Sequence, residues 1–72
     1  HRISSSMNLT VNGKAHECPP DTTVSVLLER LALAGRRVAV ERNGDIVPRS
    51  QHLDTLLLEG DEIEIVVAVG GG

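Results

Sequence analysis

Phenylalanine, tyrosine and tryptophan are all missing from these 72 residues. Their absence removes the stacking platforms on which most single-strand nucleic-acid binders lay bases. A single cysteine, Cys18, excludes an internal disulfide framework and any multi-thiolate metal site. No apolar run approaches the ~20 residues of a membrane span, and no charged n-region with an apolar h-region opens the chain. Neither G-x-x-x-x-G-K-[ST] nor G-x-G-x-x-G occurs, so there is no visible nucleotide site. A chain this short makes one domain, and a pocket enclosing a cofactor would consume much of its core. These absences argue against an enzyme working alone.

What is present is aliphatic. Valine, isoleucine and leucine supply 22 residues, enough for a thin folded core. Charge is divided along the chain. All seven bases lie in residues 1–49, whereas residues 50–72 carry Asp54, Glu59, Asp61, Glu62 and Glu64 and no base. An acidic C-terminal third points away from nucleic acid and towards a basic protein partner reached by electrostatic steering, with a merely solvated surface as the plain alternative. Gly13, Gly35, Gly44 and Gly60 stand singly, as turns do; Gly70, Gly71 and Gly72 are stacked at the end.

Residues 1–6, polar and serine-rich ahead of Met7, read as an expression-tag remnant outside the fold. Met7, Leu9 and Val11 alternate with polar residues, the pattern of a half-buried strand. Asn12-Gly13 predicts a tight hairpin that sets Val11 opposite Lys14, Leu9 opposite His16 and Met7 opposite Cys18. Thr23 is the expected helix N-cap, with Thr22 and Asp21 as neighbouring candidates. Val24, Leu27, Leu28 and Leu31 form one apolar stripe, Gly35 is the expected residue just past the helix, and Arg36-Arg37 lie near its negative end. Strands follow at Val38–Arg42 and Ile46-Val47, the second confined by Pro48 to an edge. One helical turn is expected within Gln51–Leu58, then a last strand, Glu62–Val69, with Ile63, Ile65 and Val67 facing inward. The predicted order β-β-α-β-β-β describes an α+β fold, a mixed sheet with one helix across one face and the final strand central.

The residues that could carry chemistry are few. Cys18 has no fixed positive neighbour and points inward, where it acts as a small hydrophobe. His16 and Cys18 share a strand face, but a zinc site needs a third protein ligand and none is near, so no metal is expected. His52 has no partner assignable from spacing and reads as a surface or loop histidine. Asp61, Glu62 and Glu64 could do acid–base work only in a pocket that shifts their pKa values. The glycine tail is different. Glycines following an apolar strand are thin and free in backbone angle, and three or four extended residues span roughly 10–13 Å, enough to carry a carboxylate from the body into a neighbour's active site. The alternative is a frayed end. A carboxylate must be activated before it reacts, so the chemistry would be done on this protein and not by it.

Met7-Asn8-Leu9-Thr10-Val11-Asn12-Gly13, Thr23-Val24-Ser25-Val26-Leu27-Leu28, Val40–Ser50 with its N-G-x-I-V-P-R core, and Leu58–Ile65 with Val66-Val67-Ala68-Val69-Gly70-Gly71-Gly72 together resemble the ThiS-type sulfur carriers of thiamine biosynthesis. These are ubiquitin-like β-grasp proteins related to the MoaD type. The resemblance covers Met7–Gly72, with a β-grasp domain at 7–69 and a flexible glycine tail at 70–72. Family members often carry an aromatic after Pro-Arg, where this chain has Gln51-His52-Leu53.

The resemblance implies that the Gly72 carboxylate is adenylated by a ThiF-type, E1-like enzyme using ATP and Mg. A cysteine desulfurase system then supplies sulfur for a thiocarboxylate, which donates it to a ThiG-type thiazole synthase. It further implies a cytoplasmic protein without a bound cofactor, acting on neither nucleic acid nor membrane. Gly70 and Gly71 would thread the partners' channels. Alternation on the last strand turns Glu62, Glu64, Val66 and Ala68 outward, as part of the expected docking surface. The alternatives are a MoaD-type carrier for molybdopterin synthesis, a ubiquitin-like protein modifier, and a β-grasp binding module without tail chemistry.

Overall fold

A computed structural model describes residues 6–68 of the chain. Residues 1–5, within the segment 1–6 expected to be a tag remnant, lie outside the described residues, as do Val69 and the glycine tail 70–72. Strand β1 (Met7–Val11) turns at Asn12-Gly13 into β2 (Lys14–Cys18). Both turn residues have positive φ, 50° and 82°, as a two-residue primed turn requires. The register is the predicted one: Val11 faces Lys14, Leu9 faces His16 and Met7 faces Cys18.

Helix α1 (Val24–Arg30) is seven residues long, and its stability rests on its ends and its buried face. Thr23 is the N-cap, its hydroxyl accepting from the Val26 N–H at 3.2 Å. The two preceding helix donors also find partners: Val24 N–H bonds Thr55 O and Ser25 N–H bonds His52 O. All three orphan donors of the first turn are thus satisfied by the cap and by the later loop. Thr22, weighed as a cap, instead donates its hydroxyl to Pro19 O at 2.6 Å.

The helix end differs from expectation. Leu31 is the C-cap and Ala32, at φ 61°, takes the left-handed position expected of Gly35. Leu33 N–H bonds Leu28 O and Ala32 N–H bonds Glu29 O, the paired bonds of a Schellman motif. Gly35, at φ 81°, serves the next turn, and Arg30 rather than Arg36-Arg37 occupies the helix's last turn. An L-residue in this conformation costs about 1–2 kcal/mol. Ala32→Gly is therefore expected to raise stability by about 1 kcal/mol, read as a shift of the urea midpoint at unchanged m-value.

Strands β3 (Val38–Arg42) and β4 (Asp45–Val47) form a second hairpin around Asn43-Gly44. A single 3₁₀ turn covers Arg49–Gln51, starting two residues before the segment in which a turn was expected because Pro48 stands directly ahead of it. The loop then passes beneath the helix start, where Thr23 bridges Leu56 and Leu57 becomes buried. Strand β5 (Glu62–Val67) pairs parallel with β1 and antiparallel with β3, giving the sheet order β2-β1-β5-β3-β4. The last strand is central and β4 is an edge, as predicted. The β5 ladder with β3 ends at Val38 opposite Val67, and Val69, the expected end of the strand, lies outside the described residues. This mixed five-stranded sheet with one helix is the β-grasp fold.

The core lies between helix and sheet. It comprises Leu9, Val11 and Cys18 from the first hairpin, Val24, Leu27 and Leu28 from the helix, Val40 and Val47 from the second hairpin, and Leu57, Ile63 and Ile65. Among the described residues no helix is long and apolar enough to cross a membrane.

Candidate functional site

Strand β5 carries the chain to the root of the tail. On its edge towards β1 a side chain completes the pairing. Asn12 accepts from the Ile65 N–H at 2.8 Å and donates to Ile65 O at 3.1 Å, while its own N–H bonds Ile63 O. The Asn12 amide acts as an extra peptide unit, extending a parallel ladder that β1 can no longer supply. On the other edge Ala68 N–H bonds Arg37 O at 2.9 Å. The strand leading to the tail is therefore fixed on both sides.

The helix covers one sheet face; the other is open. Outward positions of β5 bring Glu62, Glu64, Val66 and Ala68 together along one line, as alternation predicted, and all four are exposed. The neighbouring strands add residues that sequence reading did not assign. Glu41 lies opposite Glu64, Ala39 opposite Val66, and Ile46 opposite Glu41. Val66 and Ile46 are 64% and 72% exposed, an apolar presence on an otherwise polar surface. Beside Val66 and Ala68, Arg37 and Arg49 flank a shallow groove that also includes Val38 and Ala39. Alternation on β3 could have turned Ala39 and Glu41 outward, but which β5 residues they meet depends on register between distant segments.

Two sequence readings change. Asp61 does not belong to the acidic surface. It is buried and accepts from Arg42 Nε at 2.8 Å, from Asn43 Nδ2 at 3.1 Å and from the Leu58 N–H at 2.8 Å. Burial alone would raise its pKa; the Leu58 N–H, the Asn43 amide and the Arg42 guanidinium outweigh it and hold the carboxyl below its ordinary value. Glu59 is also engaged, accepting from the Asn8 N–H at 3.0 Å. The acidity of the C-terminal third thus reaches the open face as Glu62 and Glu64, joined there by Glu41.

His52 is a loop histidine, one of the two positions expected, but it does not lie on the surface. It is buried, its Nε2 lies 3.1 Å from Val47 O, and its own carbonyl caps the helix start. With Nε2 protonated, the ring ties the loop to β4. Cys18 is buried and unbonded to any disulfide, as expected. His16 is half-buried and lines a groove with Lys14, Leu31, Leu33 and Val67. Among the described residues no group of three His, Cys, Asp or Glu side chains could hold a metal. Gly70, Gly71 and Gly72 lie outside the described residues.

Comparison with known proteins bears on this arrangement. The model of the ThiS family matches residues 9–72. The chain is 40% identical over 65 residues to the sulfur carrier protein ThiS of Bacillus subtilis, covering 89% of this chain and 98% of that one. To the Escherichia coli ThiS it is 33% identical over 66 residues, covering 92% and 100%. The thiazole synthase of Paramagnetospirillum magneticum is 42% identical over 66 residues, but these are 92% of this chain and 20% of that protein. The chain therefore spans about a fifth of the thiazole synthases it matches. The crystal structure of ThiS from Geobacter metallireducens superposes with a TM-score of 0.78 at 38% identity, covering 92% of this chain and all of that one. A sheet that ends on its central strand, followed by a glycine triplet, thus occurs here in a chain that belongs to the ThiS family.

Proposed function

We propose that this protein is a sulfur carrier for the thiazole of thiamine, and that its reactive group is the carboxylate of Gly72. It is a co-substrate of its partners, with no catalytic group of its own. The observation that carries the reading is the family membership of a chain whose central strand ends at Val67, with two residues between it and Gly70-Gly71-Gly72. In this reading a ThiF-type activating enzyme binds ATP with Mg and the Gly72 carboxylate attacks the α-phosphate. Pyrophosphate leaves, and the resulting acyl-AMP is electrophilic because AMP is a good leaving group. A persulfide sulfur from a cysteine desulfurase system displaces AMP, and a thiol cleaving the acyl disulfide leaves the thiocarboxylate.

The acceptor is a ThiG-type thiazole synthase. The stretches of thiazole synthases that match this chain support that acceptor over the molybdopterin precursor served by MoaD-type carriers. Gly70 and Gly71 present no Cβ to the channels they enter, and Glu62, Glu64, Val66 and Ala68 contribute to docking on the open face. No cofactor is resident.

Intact-mass analysis after incubation with ATP, the activating enzyme and a sulfur donor tests the proposal. The expected product has gained the mass difference between one sulfur and one oxygen at the C-terminal residue. An unchanged mass with an activating enzyme competent on other carriers overturns it.

A further inference from the structure

The open face is not uniformly acidic. Arg37 stands at its tail end: antiparallel pairing of Val38 with Val67 continues to Arg37 and Ala68, whose backbones are bonded at 2.9 Å. Because Val38 turns towards the helix and Ala39 outward, Arg37 takes an outward position next to the tail root. Arg49 reaches the same groove from the 3₁₀ turn. Both are exposed, and among the described residues neither guanidinium is in an ion pair. Glu41 lies four residues from Arg37 along β3, roughly 13 Å, which exceeds the Debye length at physiological salt. The face therefore has a basic end at the tail, an acidic end at Glu41 and Glu64, and Val66 with Ala39 between them.

We propose that Arg37 and Arg49 receive a carboxylate-bearing segment of the activating enzyme beside the mouth of its tail channel, and so set the direction in which the carrier docks. The inference rests on the carrier reading above. Guanidinium groups suit such a contact because they are weakly hydrated and pair with carboxylates through two parallel bonds. Nucleic acid does not fit, since two bases beside three glutamates on a chain of net charge −3 repel a polyanion. Where the enzyme's channel holds Val69 to Gly72 extended, the carboxyl and the nucleotide stand roughly 13 Å from Ala68, so the nucleotide is not the target either. With the two ends of the face opposite in sign, a carrier turned end for end would set like charges against each other.

ATP–pyrophosphate exchange by the activating enzyme, measured against carrier concentration, tests this with Arg37→Glu, Arg49→Glu and the double variant. At low salt the KM for the carrier is expected to rise at least about tenfold for each reversal, narrowing as salt screens the contact. The kcat should stay unchanged because the tail is intact. Arg37→Lys should recover part of the affinity, and unchanged melting temperatures exclude a folding defect. Unchanged KM values for both reversals, with wild-type exchange intact, overturn the arginine contact and leave the carrier reading standing. Absence of exchange with the wild-type protein overturns both.

Discussion

Removing Gly72 is expected to abolish thiocarboxylate formation while leaving the melting temperature unchanged. Among the described residues the core runs from Leu9 to Ile65 and the last strand ends at Val67, five residues before Gly72, so the body should fold as before. The shortened chain still ends in a carboxylate, but that group is withdrawn by one residue, roughly 3.5 Å in extended geometry. Reacting atoms must approach to about that same distance, and misplacement by about 1 Å already costs about 10²-fold in rate. Single-turnover adenylation should therefore fall at least about 10²-fold. A binding module without tail chemistry would retain its partner affinity and have no such activity to lose, so retained adenylation in the deletion variant defeats the assignment to Gly72.

The second large effect is expected at Asp61. Asp61→Ala leaves the Arg42 guanidinium, the Asn43 amide and the Leu58 N–H without their shared acceptor. The carboxylate is buried but the guanidinium is part-exposed, so the loss of the shared acceptor should cost about 1–3 kcal/mol. A domain of this length has about 4–11 kcal/mol in total, so the variant should lose a large share of its stability. Urea titration measures the loss.

The same carboxylate makes stability acid-sensitive. Its folded pKa lies below the ordinary value near 3.8, so its contribution is complete above that value and is lost as pH falls through the folded pKa. The stability gap between wild type and Asp61→Asn should accordingly shrink below pH ~4. A gap that stays constant down to the acid transition would show that Asp61 contributes no ionisation-linked stability.

Much of the fold could be read locally. Asn12-Gly13 dictated a turn, and the turn dictated a register found residue for residue. Thr23 and the Val24, Leu27, Leu28 stripe located the helix because capping and periodicity are short-range properties. The errors arose where a local preference had a distant competitor. Gly35 is the better left-handed residue, yet Leu33 must pack against the core from the position after Ala32, and that contact ends the helix early. His52 had no partner assignable from spacing because the carbonyl it meets belongs to β4, and the partner of Asp61 was illegible because Arg42 lies nineteen positions away.

The candidate site divides in the same way. Alternation turned Glu62, Glu64 and Val66 of β5 outward, with Ala68 one residue beyond the strand. Arg37, Arg49, Ala39 and Glu41 join them through register and through a loop, neither of which a single segment encodes.

The strand order has a consequence for how the molecule comes into being. The β1–β2 and β3–β4 hairpins are each closed by a short turn, but β1 and β3 are not hydrogen-bonded to each other. Among the described strands only β5 joins them, and it is the last of these in a chain made from its N-terminus. Until it is inserted, the two halves share no ladder and the open face has no central row. Completion of the sheet and of the open face is thus one event: a chain cut short before β5 lacks both the central row of that face and the glycines proposed to react.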